Sequence, residues 1–134
     1  MNRLLIDANI YSHAMKGSPD VIKILQRANE IGICAICIGE LLSGFRAGTK
    51  ERQNREELEE FLDSPRVRIY AVNEDTAEYY AIILDQLRTK GTPIPTNDIW
   101  IAAVAMQHGL KLFSKDRYFE RISGIMLGFG WSLP

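Results

Sequence analysis

The stretch Ile31-Gly32-Ile33-Cys34-Ala35-Ile36 carries no charge and no polar alternation, and it leads straight into Cys37-Ile38-Gly39-Glu40-Leu41-Leu42. A strand with one wet face alternates polar and apolar residues, so an unbroken apolar run points to a strand covered on both faces. The residues after it read as a helix carrying Glu40. The same pairing recurs along the chain. Leu4 to Ile6 is a short apolar strand, and a helical stretch from about Ile10 to Met15 follows it and stops at Gly17. Ser18-Pro19-Asp20 offers an N-cap, a proline for the first helical position and an acid for the first turn. Val21, Ile24, Leu25 and Ala28 then supply an apolar stripe at helical spacing.

Gly44 and Gly48 bracket a break, after which Lys50 to Asp63 is a highly charged helix anchored chiefly by Leu58, Phe61 and Leu62. With so few apolar residues it should lie partly off the core and meet a partner, which makes the Arg46 to Asp63 region a candidate docking surface. Val67 to Val72 is a third strand. Asn73 caps a helix that ends at Gly91, and Thr96 caps another over Asn97 to His108 that Gly109 terminates. Leu110 to Ser114 and Ile125 to Phe129 complete the strands, with a short helical turn at Tyr118 to Ile122 between them. Strands alternating with helices throughout predict an α/β fold, a central and mainly parallel five-stranded sheet between two helical layers. The whole chain, 1–134, is expected to form one domain.

Four acids stand where these apolar runs end or just inside the helix that follows: Asp7, Glu40, Asp98 and Asp116. In an open parallel sheet such positions converge on the crevice beyond the carboxyl ends of the strands. Taken singly each has an ordinary explanation, since acids are common in first helical turns and in turns. Together they form a carboxylate-lined site that needs a cation between the charges, and oxygen-only donors suit Mg²⁺, with Mn²⁺ as a substitute, rather than zinc. Phosphate-ester chemistry is the natural use of such a site. Asp7 reads as a strand-end residue without a helix N-terminus of its own, and Asn9 stands near enough to orient it.

At 134 residues with 46% hydrophobic and 25% charged residues the composition is that of a soluble globular protein. Neither a signal peptide nor an apolar run of about 18 residues is present, so the expected location is cytoplasmic, with no membrane partner. The net charge of −1 does not announce a nucleic-acid binder. Setting the four acids aside leaves a mildly basic remainder, and Arg46, Lys115 and Arg117 are the candidates for substrate phosphates. Cys34 and Cys37 form a lone C-x-x-C inside an apolar run. Two buried thiols explain it better than a redox pair. The aromatics Trp100, Tyr80, Phe61 and Phe119 fit a core better than base-stacking platforms, and Trp131 is ambiguous.

The segments Leu5-Ile6-Asp7-Ala8-Asn9-Ile10, Glu40-Leu41-Leu42-Ser43-Gly44, Asn97-Asp98-Ile99-Trp100-Ile101-Ala102-Ala103 and Leu112-Phe113-Ser114-Lys115-Asp116-Arg117-Tyr118-Phe119 together resemble the PIN-domain proteins. The likeness is specifically to the VapC-type toxins of bacterial toxin–antitoxin pairs, and the segments keep that family's order over nearly the whole chain. The resemblance implies that Asp7, Glu40, Asp98 and Asp116 are the acidic quartet that holds metal, supported by Asn9 and Ser114. It further implies a Mg²⁺-dependent endoribonuclease acting on RNA, with tRNA and rRNA both plausible, and inhibited by a cognate antitoxin. A homodimer is expected. Cleavage would leave a 5′-phosphate and a 3′-hydroxyl, with no role for His13 or His108. Two features depart from the family: Ala8 stands where threonine or serine is usual, and cysteines replace the small hydroxyl residues that often precede the glutamate. Competing readings are an RNA-processing PIN nuclease without an antitoxin and, from another class, a receiver-like or phosphatase-like phosphoryl domain.

Overall fold

The computed structural model describes residues 2–129. Along the chain run β1 (Arg3–Ile6), α1 (Ala8–Met15), α2 (Pro19–Arg27), β2 (Glu30–Cys34), α3 (Ala35–Ala47), α4 (Glu51–Leu62), β3 (Val67–Tyr70), α5 (Glu74–Lys90), α6 (Thr96–His108), β4 (Lys111–Ser114), a 3₁₀ turn (Arg117–Arg121) and β5 (Met126–Phe129). The strands form one five-stranded sheet in the order β3-β2-β1-β4-β5. Every pairing is parallel, so the sheet is wholly rather than mainly parallel.

That order carries the functional consequence. From β1 the chain steps outward through β2 to β3, then returns across the sheet to lay β4 on the free side of β1. Right-handed crossovers put α1 to α4 on one face and carry α5 and α6 to the other. The direction of travel reverses between β1 and β4, and in open α/β sheets the ligand crevice opens at such a reversal. Receiver domains have the different order 2-1-3-4-5.

Leu4, Leu5 and Ile6 of β1 are buried, flanked in register by Ile31 and Ile33 of β2 and by Leu112 and Phe113 of β4, also buried. In α6 every residue from Ile101 to Ala105 is buried, as expected of a helix enclosed on all sides. Gly32 allows the β2–β3 face to close: a Cβ there would stand 2.7 Å from Cε2 of Tyr70. Gly91 and Gly109 end α5 and α6 at φ of 67° and 63°, backbone that glycine adopts without strain. On α4 only Leu58 is fully buried, while Phe61 sets its ring edge against Tyr11 at 5.1 Å.

Several boundaries differ from the sequence reading. The apolar run does not stay extended to Ile36: β2 ends at Cys34, where its ladder with Tyr70 ends, and Ala35 opens α3. Periodicity misses the change because the first turn of α3 is itself buried at Cys37. Gly44 lies inside α3, and the helix ends only at Gly48. Asp7 does have a helix of its own, since α1 starts at Ala8 with Asp7 as its N-cap. Pro95, not Thr96, occupies the cap position of α6. Val72 lies beyond the end of β3, and Trp131 falls outside the described residues.

Candidate active site

The four acids reach one cavity from four different parts of the chain. Asp7 ends β1, Glu40 lies in the second turn of α3, Asp98 is the third residue of α6, and Asp116 follows β4. All four, with Asn9 and Tyr118, line a cleft of about 580 Å³ at the carboxyl end of the sheet.

Asp7 is the most enclosed, 3% exposed. One carboxylate oxygen accepts the Ile10 amide at 2.9 Å, the bond that starts α1, and the other accepts the Ser114 hydroxyl at 2.6 Å. Ser114 in turn accepts the Asp116 amide at 3.0 Å. A chain of bonds thus crosses the β1/β4 reversal and fixes two of the acids relative to each other. Burial pushes the Asp7 carboxyl up to about 6, helped by the charges of Asp116 and Asp98, while the bonds from Ser114 and Ile10 oppose the shift. Asp98 is raised as well, first by burial, against a 2.5 Å hydrogen bond from the Tyr118 hydroxyl. Glu40 is raised mainly by burial, with a further push from Asp98, and accepts a bond from the Asn97 amide nitrogen at 3.4 Å. Upward shifts in three carboxyls around one cleft mark a place where desolvation, and after it the neighbouring acids, disfavours the charged form.

The donor set fits a hard divalent cation: oxygen ligands only, mutually repelling, two of them oriented by hydroxyl donors. As the side chains stand, no three of His, Cys, Asp and Glu among the described residues are gathered closely enough to share one ion. Asp7, Glu40 and Asp98 each take a bond from a protein group instead, which satisfies charges that would otherwise face one another.

The sequence-derived supporting residues divide. Asn9 lines the cleft and Ser114 bonds Asp7 directly. The basic candidates do not line the cleft. Lys115 pairs with Asp20 at 3.3 Å, Arg117 pairs with Glu120 at 3.3 Å, and Arg46 is exposed in the last turn of α3. Tyr118 and Asn97 are the residues that sequence reasoning missed as partners of the acids. A tyrosine two places after Asp116 carries no signal of its own, because its role depends on the 3₁₀ turn that swings it toward α6. Trp100 stacks on Tyr80 at 4.1 Å between α6 and α5, and Phe119 is fully buried, so these aromatics serve packing. His108, in the last turn of α6, lies against the Tyr70 ring at 4.7 Å. Cys34 and Cys37 are both buried with sulfurs 3.7 Å apart. The shared hydrogen bond lowers Cys34 and raises Cys37, and Cys37 also donates to the Ile6 carbonyl.

Residues 4–125 match the family model described as PIN domain. The chain belongs to the PIN-domain family. Within that family it is similar to ribonuclease VapC2 of Rickettsia felis, 30% identical over 92% of this chain and 94% of the relative. It is also similar to the tRNA(fMet)-specific endonuclease VapC of Salmonella typhimurium, 28% identical over 95% and 97% of the two chains. Among solved structures, DNA-bound VapBC from Salmonella typhimurium superposes with a TM-score of 0.87 at 26% identity, covering 97% of this chain and 99% of the other. The PIN fold is therefore present over the four acidic segments, and the expected VapC likeness holds.

Proposed function

We propose that this PIN domain is a VapC-type toxin: a Mg²⁺-dependent endoribonuclease, with Mn²⁺ as a substitute, held inactive by a cognate antitoxin. The observation that carries the reading is the meeting of Asp7, Glu40, Asp98 and Asp116 on one cleft at the β1/β4 reversal. Similarity to ribonucleases named VapC and to a VapBC complex supports the activity and the partner.

The four carboxylates are the residues that would hold the ion, which would supply a Lewis acid for the phosphodiester and a more acidic water. The chain's own contribution is orientation and charge. Ser114 and the Ile10 amide fix the rotamer of Asp7, Tyr118 fixes Asp98, and Asn97 restrains Glu40. Asp7 is mostly ionised at neutral pH despite its burial, so it can serve as a ligand there. Asn9, at the rim, supports the site. An RNA substrate follows from the family, and tRNA is the first class to test because one relative bears that specificity in its name. Such a toxin works in the cytoplasm, where its RNA is, and as a homodimer. Among the described residues no helix is long and apolar enough to cross a membrane.

The test is cleavage of single-stranded or loop RNA by purified protein with Mg²⁺, with Mn²⁺ and with EDTA. Cleavage should need the metal and leave 5′-phosphate ends. Asp7→Asn, Glu40→Gln and Asp98→Asn should each lower the rate by orders of magnitude, and Asp116→Asn by less, since an amide oxygen still coordinates. Full activity in EDTA would sink the proposal.

A further inference from the structure

The acid cleft does not end at the acids. A second cavity of about 420 Å³ lies between α1 and α4 and shares Ser12 and Phe45 with the first, so the two form a continuous trough. Its character is different. Lys16 and Lys50 flank it, and neither takes part in an ion pair among the described residues. Gln53 and Asn54 line one wall with amide groups, the Gln53 nitrogen donating to Glu57 at 3.3 Å and its oxygen left to accept. Tyr11 forms part of another wall, and its hydroxyl is buried with no hydrogen-bond partner. A buried hydroxyl left unpaired is unfavourable unless something completes it.

We infer that this α1–α4 groove is a substrate subsite that takes the RNA strand flanking the scissile bond, with Lys16 and Lys50 on its phosphates. The inference rests on the nuclease reading of the acid cleft. A polyanion held at a carboxylate cleft needs cations beside it, and the three basic residues that the sequence suggested do not line the cleft. Lys16 and Lys50 are unpaired among the described residues and stand along the continuation of the cleft between α1 and α4. The phenyl ring of Phe45, common to both cavities, gives a base a face to stack on at the junction. The amides of Gln53 and Asn54 and the hydroxyl of Ser12 match base edges and sugar hydroxyls, as single-stranded RNA recognition requires. Glu57, the one acid lining the groove, accepts the Gln53 amide at 3.3 Å along α4 and leaves the pair of lysines in excess.

The test compares wild type with the double variant Lys16→Gln, Lys50→Gln. The probe is an unstructured, fluorescein-labelled RNA that contains the cleavage site and is long enough to cross both cavities. Both lysines are exposed, so the fold should survive, and the melting temperature checks this. Cleavage kinetics and anisotropy binding are read over a series of NaCl concentrations. KM and Kd should rise about tenfold, kcat should change far less, and the slope of log Kd against log salt should fall by about 1.4, roughly 0.7 per lost phosphate contact on a single strand. Unchanged KM, Kd and salt slope would overturn the groove assignment while leaving the nuclease reading intact. The assignment also falls if the lysines matter only for binding the antitoxin, because the groove then serves a protein. Absence of cleavage by wild type would refute the nuclease reading instead, and the anisotropy still decides whether the groove holds RNA.

Discussion

At the scale of single residues, Asp7 combines two demands that conflict. It caps α1, which favours its charge, and it is buried among other acids, which does not. The net effect is a carboxyl raised from 3.8 to about 6. A folded-state value above the unfolded one means that the folded protein binds the proton more tightly. Stability contributed by that proton is present at low pH and falls as pH rises from about 4 to about 6. Above pH 6 the charged Asp7 weighs against the fold by about 3 kcal/mol, at roughly 1.36 kcal/mol per pH unit. Asparagine keeps the cap bond to Ile10 and gives up only ~0.3–1 kcal/mol of helix-dipole attraction. Asp7→Asn should therefore melt higher than wild type in EDTA at pH 7.5, with the gap closing toward pH 4. Thermal unfolding of both proteins across that range checks it, and a gap that does not vary with pH would rule out the cause given. Tyr118 is the complementary case: Tyr118→Phe keeps the ring but frees Asp98, and should slow cleavage about tenfold, near 1.4 kcal/mol of barrier, with little change in melting temperature. Equal rates would show the bond to be incidental.

At the scale of elements, the sequence was most legible where side chains act locally. The Pro19 start of α2, the Asn73 cap and the glycine stops at Gly91 and Gly109 all occur where the sequence predicts them. Asn73 goes further than expected. Its side-chain oxygen accepts the Thr76 amide, and the Asn73 amide donates in return to the Thr76 hydroxyl oxygen, a reciprocal cap. Asn73→Ala should cost about 1 kcal/mol of stability, measured by urea unfolding. Boundaries set by tertiary context were less legible. The end of β2 depends on where β3 stops pairing with it, and the first turn of α3 continues the apolar residues with only Cys37 buried, so one apolar run spans two kinds of structure. The quartet itself was readable as four strand-end or helix-start acids. Their partners were not, since Tyr118 and Asn97 meet Asp98 and Glu40 only through a 3₁₀ turn and a helix pair brought together by the fold.

At the scale of the whole molecule, the site is a concentration of negative charge in a fold that otherwise leans basic. Ligand binding to the native state adds stability by mass action, about 2.7 kcal/mol at a hundred times the dissociation constant. Saturating Mg²⁺ should therefore raise the melting temperature of wild type and reverse its order with Asp7→Asn, which should gain little. Equal gains for both would mark Asp7 as structural and remove it from the ligand set. Sedimentation at micromolar concentration tests the homodimer, and a monomer there would count against it.

The bond from Ser114 to Asp7 also sets a schedule. Its two residues are 107 positions apart, one ending the first strand made and the other ending the fourth. At about 5–20 residues per second of synthesis, Asp7 waits on the order of 5–20 s for its partner to be made. Until β4 is made, β1 has β2 on one side and an open edge on the other, and the cleft lacks Asp116. An enzyme directed against RNA is thus built without a complete site until the segment carrying Ser114 and Asp116 has been translated.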